Sequence, residues 1–470
     1  MYTVYDLLRF QVSVRSQAPF LILRDRVKTF GDIGARVEAL RDSLGSEGIR
    51  RGDRVVVSCS EADDYVSSVL AIWALRAVVA PVEPSLPEPS RRRLLDVAQA
   101  NWLISAENGE PLSIEQLECP SSGTWSPSVR EPAQLLFTSG SSGVPKAAIL
   151  SHEAIMTAAI ECADSLSLSS NDVQMTTVPF WHAYGQNRGL NATLFSGASV
   201  VPVFDDDLSV RISELKRIRP TVLLSMASFY GFLAFYRRPL GDRLRVAVAG
   251  AVPIPTPVQM KFEELYGVPL LTTYGLTEFL LISCQRLADE RSRGGVGYPC
   301  RGVEVRITDK NGEEVSPGES GRILVRGCQA MEGYLGASDK KVSTDGWLDT
   351  EDIGILDHTG LRVIGRDSAF IKRSGYKVYP IEVQNVMSQH PEVVDVAVAK
   401  FTGPLGDEDL VAEVVLKVGS EAGVADLLEY CKEHLPDYKI PAKCRLVADI
   451  PRLPSGKPDL ITIGNRASDK

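Results

Sequence analysis

Between residues 54 and 105 short apolar runs alternate with helix-like stretches, and that alternation restricts the fold more than any other feature. Residues 54–59 (RVVVSC), 78–82 (VVAPV) and 102–105 (WLIS) read as strands rich in β-branched and aromatic residues. Residues 62–75 and 91–98 read as the helices between them. Parallel neighbours need such crossovers, so the pattern predicts an α/β fold with a largely parallel sheet. Asp32 is placed to cap an earlier helix running toward residue 44. Residues 106–131 are polar and rich in Pro, Ser and Glu, and read as a loop.

The style returns over residues 153–270. Helices are expected at 153–166 and 209–218, and strands at 172–178, 197–203, 221–225 and 244–249. An aromatic turn, PFWHAYG, fills 179–185. Residues 294–365 switch to short glycine-punctuated strands at 303–308, 321–326, 354–356 and 362–364, which suits a small barrel or sheet. After Arg366 the pattern becomes α+β, with helices at 381–388 and 424–434 and strands at 394–399 and 412–417. A chain of 470 residues exceeds one ordinary core. The expected division is 1–366 and 367–470.

Formal net charge is −9, which disfavours a general nucleic-acid binder, since such a protein needs a basic face. The eight cysteines form no C-x-x-C pair or zinc spacing and read as reduced thiols of a cytoplasmic protein. The N-terminus lacks the basic start and apolar run of a signal peptide. Residues 221–236 are apolar but too short to span a bilayer, so no membrane partner is expected.

Five stretches carry chemistry. In LLFTSGSSGVPK (135–146), a strand-like run leads into Thr138, Ser139, Gly140, Ser141, Ser142 and Gly143, then Lys146, before the chain turns apolar again. Glycines and hydroxyls there can present backbone N–H groups to an anion, and the lysine adds a mobile charge. In TTYGLTE (272–278), Glu278 offers a hard oxygen suited to Mg²⁺, Thr277 a hydroxyl and Tyr274 a face for a purine. In GWLDTED (346–352), Asp352 can accept both hydroxyls of a ribose. In GRDSAFIKRSGYKVYPIE (365–382), Gly375 reads as a turn glycine, with no side chain to hinder close approach, before a helix opened by Pro380. PRLPSGK (451–457) ends on Lys457. Taken singly, each has a plainer reading: Glu278 as a first-turn helix carboxylate, Asp352 as a turn carboxylate, Lys457 as a solvent lysine, His182 as a packed or capping residue.

Together, and in this order, the stretches resemble the motifs of the adenylate-forming superfamily: acyl-CoA synthetases, aryl-CoA ligases, peptide-synthetase adenylation domains and firefly luciferases. The resemblance covers nearly the whole chain. It implies a large N-terminal domain of two mixed sheets with helices plus a small β-barrel, followed by a small mobile α+β domain. It implies an ATP-dependent carboxylic acid–CoA ligase working through an acyl-adenylate, with ATP, Mg²⁺ and CoA as cofactors. A phosphopantetheinyl carrier protein is the alternative thiol, and a monomer or homodimer is expected. Carried over, residues 138–143 and Lys146 hold phosphate, and Tyr274 packs on adenine beside Thr273, Gly275, Gly250 and Ala251. Thr277 touches phosphate and the acid, Glu278 holds Mg²⁺, and Asp352 and Arg366 hold the ribose. Lys372 and Gly375 serve the nucleotide and pantetheine sides, Lys457 enters during adenylation, and His182 lines the acid pocket. No aspartate occurs within 180–185, where amino-acid-activating relatives carry one for the α-ammonium. Ser142 replaces the usual threonine and Ala147 the usual final glycine of the phosphate loop, both small changes, and two further positions depart from the pattern: Glu351 stands where glycine is usual, and Ser368 where the hinge is usually Asp or Lys. They motivate a second reading, an enzyme retaining one half-reaction.

Overall fold

The computed structural model describes residues 3–107, 109–118, 125, 130–138, 145–289, 291–336, 341–366, 371–373, 376–402, 408–452 and 458–468. The expected α/β architecture is present among the described residues as two large sheets followed by smaller four-, two- and three-stranded ones, with helices packed between and around them. Ser139 to Gly143, Ser368, Gly375 and Lys457 lie outside the described residues, as does the side chain of Lys372.

The first large sheet has six strands. Its parallel centre is Trp102–Ala106, Arg54–Cys59, Val78–Pro81 and Pro132–Thr138, and antiparallel strands Ser113–Gln116 and Lys146–Ser151 close its two edges. The strand Ser113–Gln116 was expected to be loop. Its polar residues pair along an exposed edge, where one face needs no apolar side chains. The second large sheet has nine strands, parallel from Pro19–Ile22 through Leu270–Tyr274 and antiparallel at both ends.

The helix Ala62–Ala74 is buried along almost its whole length. Trp73 donates its indole N–H to Ala133 O at 2.8 Å, on the six-stranded sheet. Tyr65 donates its hydroxyl to Phe180 O at 3.0 Å, in the turn that leads back to the nine-stranded sheet. One helix thus ties both sheets into a shared apolar core. The preceding helix, Phe30–Glu47, is capped by Thr29 and not by Asp32. Thr29 Oγ1 accepts from Asp32 N, and the Asp32 carboxylate accepts from Thr29 N, the reciprocal pairing of a capping box.

Glu304–Thr308, Ser320–Arg326, Leu348–Asp357 and Gly360–Arg366 form a four-stranded antiparallel meander. Closure into the expected barrel is not among its pairings for the described residues. Beyond it, Val393–Thr402, Glu408–Leu416 and Lys443–Leu446 make a three-stranded sheet with the helices Pro380–Met387, Val424–His434 and Leu460–Ser468, the α+β pattern read from the sequence. The seven described cysteines are free thiols. Among the described residues, no helix is long and apolar enough to cross a membrane.

Candidate active site

Strands Val246–Ala249 and Leu270–Tyr274 run parallel and side by side, with Ala249 opposite Thr272. Their carboxyl ends deliver Gly250 and Ala251 next to Thr273 and Tyr274. In open α/β sheets that end of the strands is the ligand crevice. Tyr274 is followed by a tight turn and not by a helix: Leu276 N donates to Phe279 O at 2.9 Å, and Ile282 N to Tyr274 O at 2.9 Å. Gly275 is required there, since a Cβ would lie 2.3 Å from Leu280 O. Thr277 and Glu278 lie within this turn, so the reading of Glu278 as a helix-start carboxylate does not hold.

The expected phosphate loop joins the paired ends of a hairpin. Thr138 lies opposite Lys146, as the flanking apolar runs implied. Residues 330–335 then stitch this hairpin to the Glu278 turn. Met331 N donates to Glu278 O at 2.8 Å, and Leu335 N to Ala147 O at 2.8 Å. Tyr334 is thereby set between the two. Its hydroxyl donates to Glu278 Oε1 at 2.7 Å, and Lys146 Nζ lies 5.1 Å from its ring centroid. Burial and the Glu278 carboxylate raise the Tyr334 phenol well above its ordinary value, so it is a donor at every working pH. Lys341 Nζ completes this corner, 3.4 Å from Glu278 Oε1. Glu278 is only 7% exposed.

The second corner is built by a bulge. Arg322 pairs with Ile353 and Leu324 with Asp349, so residues 350–352 arch out opposite Ile323 alone. Thr350 pins the arch by donating Oγ1 to Ile323 O at 2.8 Å. Asp352 is turned inward and is 5% exposed. It accepts from the Tyr274 hydroxyl at 2.6 Å and faces Arg366 Nε at 3.3 Å, the residue opposite it across the sheet. Burial raises its carboxyl above the ordinary aspartate value, against the opposing pull of Tyr274 and Arg366. Tyr274 carries both corners: its hydroxyl holds Asp352, and Glu278 lies four residues on.

The acid side is close-packed. A Cβ on Gly250 would lie 2.6 Å from Thr273 Cγ2 and 2.7 Å from Tyr184 Cε2. Ala251 has φ +63°, a strained left-handed backbone for a non-glycine residue. His182 is exposed at the start of this wall, and its Nδ1 accepts from Tyr184 N at 3.2 Å. The expected aromatic turn runs on into a π-helix, Gly185–Asn191, a form found mostly as single turns and frequently at functional sites. From it Arg188, 1% exposed, reaches Ser165 Oγ at 3.0 Å and Thr273 Oγ1 at 3.4 Å. Arg366 also lines an apolar groove of about 530 Å³ with Tyr379, Ile381, Phe401 and Ile461.

Side-chain contacts therefore connect the expected residues Lys146, Tyr274, Glu278, Asp352 and Arg366, with Thr138 paired to Lys146, Gly250 set against Thr273, and Ala251, Gly275 and Thr277 beside them in sequence. Tyr334, Lys341 and Arg188 join them without a sequence signal, since none has motif spacing. Mg²⁺ typically binds one or two carboxylates and completes its shell with water and substrate phosphates. Glu278, a recessed hard-oxygen donor at the phosphate corner, is of the type that mode uses.

The profile of AMP-binding enzymes matches residues 8–335, and that of the AMP-binding enzyme C-terminal domain matches 382–457. An indoleacetate–CoA ligase of Aromatoleum aromaticum is 29% identical, with 92% of this chain and 92% of that protein covered. A naringenin synthase of the fungus Pestalotiopsis fici is 27% identical over 94% of this chain, which spans 18% of that much longer protein. Among solved structures, an anthranilate CoA ligase in complex with anthranoyl-AMP superposes with a TM-score of 0.88 at 23% identity, covering 99% of this chain and 97% of the other, and so shares the fold. With the family profile spanning residues 8–335, this chain belongs to the AMP-binding, adenylate-forming enzyme family.

Proposed function

We propose that the protein is an ATP-dependent carboxylic acid–CoA ligase that works in two half-reactions. The observation that carries this reading is the joining of two corners through Tyr274. One corner, Asp352 with Arg366, suits a ribose; the other, Lys146, Tyr334 and Glu278, suits a triphosphate. A nucleotide spanning them has its α-phosphate near Thr277 and the acid wall of Gly250 and Tyr184.

In the first half-reaction a carboxylate oxygen of the acid attacks the α-phosphorus, and pyrophosphate leaves. Little covalent work falls to the protein, so positioning and charge stabilisation carry the rate. The phosphate loop, residues 138–143, holds the phosphates with Lys146, and Lys457 offsets charge at the α-phosphate. Glu278 is the residue that holds Mg²⁺, which supplies further charge neutralisation when bound. In the second half-reaction a thiol sulfur attacks the adenylate carbonyl, and AMP leaves with the bonding pair. The division at 1–366 and 367–470 gives the second unit freedom to turn about Ser368. That turn exchanges Lys457 for the Gly375 side, with Lys372 nearby. His182 stands where the thiol approaches.

CoA is the proposed thiol, and a carrier protein is an outcome of the test. The test is pyrophosphate exchange into ATP across a panel of carboxylic acids, followed by thioester formation with CoA or a phosphopantetheinyl carrier. Acid-dependent exchange, lost in Glu278→Gln and Lys146→Ala, is expected. Exchange that ignores both substitutions overturns the assignment of this crevice.

A further inference from the structure

Glu351 has φ +62°, in the left-handed region that favours glycine, and glycine is what the family motif carries there. A side chain held at such a position points to a use for it. Both carboxylate oxygens of Glu351 meet a cation. Oε1 lies 3.7 Å from Lys341 Nζ, and Oε2 lies 3.8 Å from Arg366 Nη1. Each cation also serves a second carboxylate, Lys341 at Glu278 (3.4 Å) and Arg366 at Asp352 (3.3 Å). The result is one row of alternating charge, Glu278–Lys341–Glu351–Arg366–Asp352, running from the phosphate corner to the ribose corner. Lys341 is largely buried, at 17% exposed, and its two distances are nearly equal. It is therefore shared, and what else binds Glu278 decides where it goes.

We propose that Lys341 and Glu351 form a charge latch on the nucleotide site. Lys341 covers Glu278 while no metal–nucleotide is bound. When Glu278 is taken up by the metal, Lys341 transfers to Glu351, which keeps the displaced ammonium paired. Glu351 and Lys341 are positioning residues that set how much metal is needed to load the nucleotide. The inference rests on the reading of Glu278 as the Mg²⁺ residue. The direction of each effect follows from linkage: removing the competitor for Glu278 favours metal, and removing the competitor's alternative partner disfavours it.

The test measures Mn²⁺ uptake by electron paramagnetic resonance in the presence of α,β-methylene-ATP, with no turnover, on the full chain. Thermal melts confirm that each variant is folded. Lys341→Met is expected to lower the half-saturating Mn²⁺ concentration about 3- to 10-fold, and Glu351→Gly to raise it by a similar factor. Lys341→Arg is expected to stay near wild type. The double variant is expected to match Lys341→Met, because Glu351 acts through Lys341. Single variants within twofold of wild type overturn the latch. So does a Lys341→Met variant that loses metal-free and metal-bound nucleotide alike, which makes Lys341 a phosphate ligand. A wild-type protein with no nucleotide-dependent Mn²⁺ uptake overturns the reading of Glu278 itself, and the latch with it.

Discussion

Asp352→Asn separates the binding role of the buried carboxylate from any role in stability. Asp352 accepts from Tyr274 at 2.6 Å and faces Arg366 at 3.3 Å. Burial nevertheless raises its carboxyl above the ordinary value. For an acid with a raised folded pKa, the associated stability is present below the unfolded pKa and lost as pH rises through the folded one. The cost of ionised Asp352 is therefore expressed as pH rises through its folded pKa. The neutral amide removes that cost while keeping one acceptor oxygen for Tyr274. The melting temperature of the nucleotide-free variant is expected to equal or exceed wild type. The nucleotide loses a charged acceptor for its ribose hydroxyls. Hydrogen bonds to charged groups contribute about 1.5–3 kcal/mol each, so loss of the charge with one of two acceptors weakens binding by about 2–3 kcal/mol. That is roughly a 30- to 150-fold rise in Kd for AMP. Calorimetric titration with AMP, alongside thermal melts, reads both quantities. An affinity within about threefold of wild type refutes the ribose assignment. A drop of more than about 5 °C in melting temperature makes Asp352 a structural residue, since for a domain of this size that is about 3–4 kcal/mol.

Three further predictions concern the fold, the acid wall and the C-terminal lysine. His152 is buried against Trp73 with both ring nitrogens unpartnered among the described residues, and burial pushes its pKa down to about 4. Its contribution is present above the unfolded pKa and lost as pH falls from about 6.5 toward 4. Wild type is expected to lose about 2–3 kcal/mol more than His152→Leu between pH 7.5 and pH 4.5 in urea melts, and parallel profiles contradict this. Gly250→Ala places a methyl 2.6 Å from Thr273 Cγ2 and 2.7 Å from Tyr184 Cε2, and is expected to destabilise by about 1–3 kcal/mol. Adding Tyr184→Ala is expected to recover part of that loss, and additive effects in melts refute the contact. Lys457→Ala is expected to slow adenylation about 10²- to 10³-fold, by analogy with loss of one transition-state donor. Thioester formation from preformed acyl-adenylate is expected to stay within about threefold, and equal losses in both assays remove the proposed division of labour.

Local pattern made much of this architecture readable. Residues 54–59 were a strand by composition, and the structure has Arg54–Cys59 fully buried in the middle of a sheet. The apolar flanks of the phosphate loop predicted paired strands, and Thr138 faces Lys146. Other elements escaped because they lack a strong periodic signal. The helix Thr256–Tyr266 begins after a run of prolines and buries few residues, and Leu460–Ser468 lies past the last motif. The crevice was legible only where spacing is local. Tyr274 and Glu278 are four residues apart and were found together. Tyr334 and Lys341 reach Glu278 only because backbone pairing threads residues 330–335 between two sheets. Arg188 lies inside a π-helix that no sequence period announces. Glu351 was visible as a departure from the motif, but its two cation partners are tertiary facts.

The central claim is that this crevice makes an acyl-adenylate and passes the acyl group to a thiol. Mass spectrometry of the protein with ATP, Mg²⁺, CoA and a mixed panel of carboxylic acids tests it most directly, with a parallel arm given preformed acyl-adenylates. Acyl-CoA is expected in both arms, with AMP and pyrophosphate accompanying it in the first. Folded protein that yields neither acyl-AMP nor thioester from ATP, and leaves the preformed adenylates untouched, contradicts it.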